Sequence, residues 1–277
     1  MNVVADLHLH SDCSDGRLAP AALVAHAARC GVTLLALTDH DSVTGCAAAA
    51  DACAAAGLRF VPGCELSASW RGQAIHVIGL AVDTASAPLA AYFADIAQRR
   101  RLRLHEIGER LERRARLPGR DLAARVLAQV TVPTRTHVAR ELVALGVAAD
   151  VQGAIDAYLL RGRPGHVPVE WPTVTEAVAV LRAAGAWPVL AHPHRYRLSA
   201  GALRALLAEF TAAGGVALEV SVGGMARADL DRLATLARRH GLAASCGSDF
   251  HDPSIPWNPP GRFAKLPADL DPLSARL

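Results

Sequence analysis

The sequence predicts an α/β chain in which seven strands close into a distorted β/α barrel, interrupted by a helical insert. Three observations carry this expectation. Short apolar, β-branched runs bounded by Gly, Pro or Asp alternate with helix-like stretches, which implies parallel strands joined by helical crossovers. Histidines and acids fall at the ends of those apolar runs, where barrels of this type carry their functional groups. About a hundred residues between the fourth and fifth runs show little strand signal and are rich in arginine.

Taken in order, the expected strands are 2–8, 33–38, 59–62, 74–81, 187–191, 216–221 and 243–247. The expected helices are 19–30, 45–56, 86–116, 121–129, 136–145, 151–160, 173–185, 199–213 and 226–240. Gly57 and Gly241 directly follow helices and suit the left-handed residue that ends them. The barrel is expected over 1–98 and 169–277, with 99–168 as a helical insert capping its mouth. The proline-bearing segment 252–277 reads as an irregular tail wrapped on the surface or over the site.

Composition narrows the class. The chain has 277 residues, enough for one large domain with an insert, and 52 % of them are hydrophobic, much of this alanine. The net charge of +3 argues against bulk nucleic-acid binding by the whole protein. The charge is uneven, with twelve arginines between Arg99 and Arg140 and far fewer acids. Six cysteines form no CxxC pair. They read as small buried hydrophobes rather than a disulfide framework. No apolar run approaches the roughly 18 residues a membrane span needs, and no targeting segment is evident. A cytoplasmic protein with no membrane association and no obligate protein partner is expected.

The donors are His8 and His10 (DLHLHS), Asp15, His40 (LTDHD), Glu65 (PGCE), His76 (HVIGL), His192 (AHP), Asp249 and His251 (GSDFH). A lone histidine in an apolar run is ordinarily a satisfied core residue; nine donors, nearly all at strand ends, are not explained that way. His8 and His10, two apart in an extended segment, share a face. With Asp249 and a bridging Glu65 they make a first ion site. His76 and His192 suit a second ion that shares Glu65, and Asp15, His40 and His251 a third. Imidazole and carboxylate without thiolate suit manganese, zinc or iron. Two or three divalent ions are expected, manganese foremost. Ions about 3.5–4 Å apart activate a bridging water and polarise a phosphoryl oxygen. Asp6, Asp39 and Asp41 are the expected acceptors for ligand histidines.

These motifs, in this order across residues 6–251, resemble the polymerase and histidinol phosphatase (PHP) superfamily of metal-dependent phosphoesterases. The resemblance implies a distorted seven-stranded β/α barrel with a trinuclear centre at the strand C-termini, and the same three ligand sets. It departs at Asp15, where histidine is common. The segments RTHVARELVALG, RGRPGHVP, AHPHRY and GSDFHDPSIPW are similar to stand-alone bacterial members that remove the 3′-phosphate of nucleoside 3′,5′-bisphosphates. Some of those also trim short RNA from its 5′ end. Thr136 stands where related chains often have proline, and His194 where a small residue is usual.

A substrate with two phosphates needs cations besides the metals, and the arginine fork matches phosphate oxygens. Arg135 and Arg195 are the leading candidates, with His137, His194, Asn258 and Arg262 after them. Trp257 is placed to stack on a base. The expected reaction is in-line attack by a metal-bridging hydroxide, releasing nucleoside 5′-monophosphate and phosphate, with Arg135 stabilising charge and either His194 or a metal-bound water protonating the leaving oxygen. The alternatives are 5′-to-3′ exoribonuclease action on short RNA, histidinol-phosphate phosphatase, and a non-catalytic metal-stabilised module.

Overall fold

The structure, a computed structural model, describes residues 4–117, 121–168 and 170–277. The first two residues of the expected strand 2–8, and the expected barrel boundary at residue 169, lie outside the described residues. The chain divides into two compact units, Met1–Tyr92 with Trp171–Leu277, and Phe93–Glu170.

The first unit holds one seven-stranded sheet in sequence order: β1 (Ala5–Asp6), β2 (Leu34–Leu37), β3 (Arg59–Trp70), β4 (Gln73–Leu80), β5 (Trp187–Leu190), β6 (Ala217–Val222) and β7 (Ala243–Gly247). Its two edges meet. The Leu7 amide donates to the Cys246 carbonyl at 3.1 Å, that of Asp249 to His8 at 2.9 Å, and that of His10 to Phe250 at 3.0 Å. The result is a nearly closed barrel, clad by α1 (Pro20–Arg29), α2 (Cys46–Ala56), α7 (Val174–Ala183), α8 (Ala200–Ala212) and α9 (Arg227–His240).

One expectation is corrected. The strands are not all parallel: β4 runs antiparallel to both β3 and β5. The cause is local. β3 does not stop at Pro62 but continues to Trp70, and the two-residue turn Arg71–Gly72, both at positive φ, folds it back into β4. Two successive left-handed residues give the hairpin turn whose twist matches the flanking strands. β3 changes partner at Gly63, pairing in parallel with β2 up to Pro62 and antiparallel with β4 from Gly63 onward. A side chain at Gly63 would stand 3.0 Å from the carbonyls of both Leu37 and Gly79.

Alternation along β2 shows how pattern becomes packing. Leu34 and Ala36 face the barrel interior with Ala5, Leu7, Val189, Ala191, Ala217 and Ala243. Leu35 and Leu37 face outward, onto Leu23, Val24 and Ala27 of α1 and Ala49 and Cys53 of α2. The interior takes many alanines because seven strands enclose a narrow lumen. The tail is not only a surface wrap. Leu273 is fully buried within that interior cluster, and the Ala244 amide donates to the Asp271 carbonyl at 2.8 Å.

The second unit is helical. It takes most of α3 (Ala87–Arg114), then α4 (Leu122–Leu127), α5 (Arg135–Ala144) and α6 (Val151–Ala154), which passes into a wider turn over Ile155–Leu159. Leu104, Ile107, Leu111, Val126, Val138 and Leu142 form its own core. Among the described residues no helix is long and apolar enough to cross a membrane.

Candidate metal centre

The segments leaving β1, β2, β5 and β7, together with the inner faces of β3 and β4, bring the nine expected donors to one mouth of the barrel. They fall into four overlapping groups: His8, His10 and Asp249; His8, Glu65 and His192; His40, Glu65 and His76; and His10, Asp15, His40 and His251. Within each group the ligand atoms lie within 4.8 Å of one another. His76 comes from the first half of β4, not from a strand's C-terminal end. Because β4 is reversed, that half faces the mouth. It sits opposite Ser67, two residues from Glu65.

Glu65 is the hub. Its Oε1 lies 3.0 Å from His76 Nδ1 and 2.9 Å from His192 Nε2. Its Oε2 lies 3.0 Å from His40 Nδ1, 3.3 Å from His10 Nε2 and 3.4 Å from His8 Nε2. Each oxygen thus faces its own set of imidazoles, the disposition a carboxylate needs to bridge two cations. On the far side, Asp249 Oδ1 lies 3.3 Å from Nε2 of both His8 and His10, and Asp15 Oδ1 lies 3.2 Å from His251 Nε2.

The electrostatics follow. Burial alone would raise the Glu65 carboxyl, but His40, His76 and His8 hold it well below the usual carboxylate range. Asp249 is likewise pushed up by burial and brought well below by Arg195, His8 and His251. Burial drives His40 and His192 down despite the carboxylates beside them. Neutral His40 and His192 beside ionised Glu65 and Asp249 are in the states that ligate a metal. At His8 and His251 burial is outweighed by the surrounding carboxylates, which raise both imidazoles, and each would give up a proton on ligation.

The donors fit divalent ions by a further test. His8 Nε2, both ring nitrogens of His10, His40 Nδ1 and Glu65 Oε2 are buried with no hydrogen-bond partner. Each such atom costs on the order of 1–3 kcal/mol if left unmet. Several of them converging on one point are explained by cations that take their lone pairs. Imidazole and carboxylate donors without thiolate fit zinc, manganese or iron.

Backbone strain gathers at the same place. Asp41, His192 and Asp249 all have positive φ without being glycine. Each anchors its amide on the site: Asp41 on the Glu65 carbonyl at 3.0 Å, Asp249 on the His8 carbonyl at 2.9 Å, and His192 on Glu219 Oε2 at 2.6 Å. Strain of this kind persists where its surroundings over-determine it.

The acids expected to orient the histidines have other partners. Asp6 accepts from the Ser248 and Gly261 amides at 2.9 and 2.7 Å. Asp39 takes the Ser11 amide and the Ser11 and Ser14 hydroxyls at 2.6–2.7 Å. Asp41 takes the amide and hydroxyl of Ser67 at 2.7 and 2.8 Å. They brace the loops that carry the ligands. The carboxylate on an imidazole is Glu219, which the sequence reading missed, with Oε1 2.8 Å from His8 Nδ1. Its signal was a lone charge inside the apolar run VALEVSV. Tyr196 was also missed. Its hydroxyl accepts from the His76 amide at 2.9 Å and its ring stands edge-on to His192.

The expected substrate contacts are more dispersed. Arg195 pairs with Asp249 at the mouth. His194 is pushed down to about 4 by burial, Arg195 and His192, and is neutral at neutral pH. Trp257 is exposed, and Asn258 is buried with its amide on the Ser248 carbonyl at 3.2 Å. In the helical unit, His137 caps α5, its Nδ1 accepting from the Thr134 amide at 3.1 Å. Arg135 lines a pocket with Arg100, Arg103, Pro133 and Thr134. Among the described residues lining it there is no acid. Burial, then Arg135 and Arg100, lowers Arg103; burial, then Arg103 and Arg135, lowers His166.

Comparison with known proteins agrees with this geometry. The PHP domain family matches residues 6–185. The 5′-3′ exoribonuclease Rnm of Escherichia coli strain K12 is 41 % identical over 271 residues, covering 97 % of this chain and 92 % of that protein. The 3′,5′-nucleoside bisphosphate phosphatase of Chromobacterium violaceum is 39 % identical over 268 residues, covering 97 % and 94 %. A solved structure of an amidohydrolase from Chromobacterium violaceum, with bound sulfate and no metal, superposes with a TM-score of 0.92 at 37 % identity, covering 99 % of this chain and 95 % of that one. The barrel, the donor cluster and the sequence agreement give one conclusion: the chain belongs to the PHP domain family.

Proposed function

We propose that this chain is a metal-dependent phosphatase that hydrolyses the 3′-phosphate of nucleoside 3′,5′-bisphosphates to nucleoside 5′-monophosphate and phosphate. The observation that carries it is the convergence of nine metal-type donors, Glu65 among them, at one mouth of the barrel beside Arg195, in a chain whose helical unit also groups Arg100, Arg103 and Arg135. His8, His10, Glu65 and Asp249, then Glu65, His76 and His192, then Asp15, His40 and His251 would hold two or three ions, manganese foremost. Bound ions would supply Lewis acidity toward the phosphoryl group and acidify a water.

The chain's own groups do the rest. Arg195, already turned to the mouth by Asp249, offers its remaining N–H groups to the phosphate being transferred. Arg135 is the proposed contact for the second phosphate, its planar fork matching the oxygens. His194, neutral, acts as an N–H donor toward the leaving 3′-oxygen. His137 and Asn258 brace the loops beside these contacts, and exposed Trp257 stacks on the base. The six free thiols suit a reducing cytoplasm.

A second reading, 5′-3′ exoribonuclease action on short RNA at the same centre, is supported by the 41 % identical relative of that name. The test is product analysis with manganese on adenosine 3′,5′-bisphosphate, histidinol phosphate and a 5′-phosphorylated RNA oligomer. Phosphate release greatest from the bisphosphate is expected. Faster turnover of histidinol phosphate overturns the proposal, and a mononucleotide ladder with no bisphosphate hydrolysis selects the second reading. Arg135→Ala is expected to raise KM for the bisphosphate while metal content stays at the wild-type level.

A further inference from the structure

Glu219 sits on β6, fully buried, one residue before the β-bulge at which the β6–β7 register shifts. Bulges re-aim side chains, and this one turns a carboxylate toward the base of the donor cluster. Neither oxygen of Glu219 belongs to any of the four ligand groups. Both are used elsewhere: Oε1 stands 2.8 Å from His8 Nδ1, and Oε2 accepts the His192 amide at 2.6 Å. His192 is held there at a φ of 28°.

The chemistry of the two partners makes a specific demand. A backbone N–H is always a donor. If His8 is to present the lone pair of Nε2 to a cation, its proton must sit on Nδ1, so that atom is a donor as well. The two donors meet different terminal atoms of the side chain, Oε1 and Oε2, so both atoms must accept, which a carboxylate allows and an amide does not. Glutamine has one acceptor and one donor group, so one of the two contacts must fail. Turned one way, its NH2 faces the His8 ring and favours the proton on Nε2, which cannot then ligate. Turned the other way, it faces the His192 amide and releases the strained backbone. Aspartate, one methylene shorter, cannot span both.

We propose that Glu219 is a positioning residue that fixes two ligands at once, His8 through its tautomer and His192 through its backbone. This rests on the ligand assignment under Proposed function. Outer carboxylates of this kind typically change metal affinity 10–100-fold, to order of magnitude.

The test uses the full chain stripped of metal and titrated with Zn2+, a diamagnetic probe, by calorimetry against a competing chelator. Glu219→Gln is compared with wild type and with His8→Asn. The expected result is a loss of roughly 10–100-fold in Zn2+ affinity for Glu219→Gln, with its circular dichroism and cooperative melt retained. 15N-resolved NMR of the zinc-loaded wild type should show the His8 proton on Nδ1, slow to exchange. Wild-type protein that binds no Zn2+ overturns the ligand assignment itself. Wild-type binding matched in affinity by Glu219→Gln overturns the role of Glu219 alone. So does a His8 proton found on Nε2 in wild type, a reading that holds even if the variant fails to fold.

Discussion

Gly247 closes the barrel, and replacing it with alanine tests whether that seam sets the metal centre. A Cβ there would lie 2.3 Å from His8 Cβ, 2.7 Å from its amide nitrogen and 3.0 Å from its Cα. Ordinary contact begins at 3.4 Å, so the nearest pair falls 1.1 Å short. The obstruction is mostly backbone and cannot rotate away. The seam is pinned on both sides, by the Leu7 amide on the Cys246 carbonyl at 3.1 Å and the Asp249 amide on the His8 carbonyl at 2.9 Å. Overpacking a tight site costs about 1–3 kcal/mol, and loosening two seam hydrogen bonds adds about 1 kcal/mol each. Gly247→Ala is therefore expected to lose about 3–5 kcal/mol in urea unfolding of the chelated protein. Displacing His8 by about 1 Å should also weaken metal binding, since ligand placement tolerates only ~0.5 Å. The control is Gly108→Ala in α3, where the nearest atom to a new Cβ is 3.7 Å away. Helix propensity alone should make that variant more stable by about 1 kcal/mol. A Gly247→Ala protein within about 0.5 kcal/mol of wild type, with unchanged metal affinity, refutes a rigid seam at His8.

Three further outcomes are expected. In the metal-free protein burial lowers His251, but Asp15 and Asp249 outweigh it and hold the imidazole up at about 9. A raised folded pKa gives stability that is full below the unfolded value of 6.5 and lost as pH rises through about 9. The wild-type minus His251→Ala difference in unfolding free energy should thus shrink by about 3 kcal/mol across that window; a pH-independent difference contradicts the pairing. Asp39→Ala leaves the Ser11 amide and the Ser11 and Ser14 hydroxyls without their acceptor, a loss of about 2–4 kcal/mol readable in thermal unfolding. Finally, exposed Cys30 and half-buried Cys13 should react with a thiol reagent in the native protein, whereas Cys46, Cys53, Cys64 and Cys246 wait for denaturant. Burial raises all four of those thiols, so fast labelling of more than two cysteines refutes the packing around them.

Most of the donors were legible because they stand where an apolar run ends, and a polar, metal-type side chain there has no core role. His8, His40, His192 and Asp249 are of this kind. Helices were legible from what ends them: Gly57 and Gly241 do take the left-handed conformation that closes α2 and α9. The extent of β3 was not. Pro62–Gly63 reads as a terminator, yet Gly63 marks a change of partner within one strand, and partners are not written in a local window. The reversal of β4 follows from that turn at Arg71–Gly72, so His76 reaches the mouth from a strand that runs the other way.

By itself the sequence determined the alternating architecture, the donor inventory and its chemical type, because these depend on residue identity and local periodicity. Tertiary structure alone decided which donors share an oxygen of Glu65, that Leu273 fills the barrel, and that Glu219 rather than Asp6 meets the His8 ring. Those are contacts between residues far apart in the chain, 211 positions in the case of His8 and Glu219. They are set when the edges of the sheet close on each other, and no spacing along the chain encodes them.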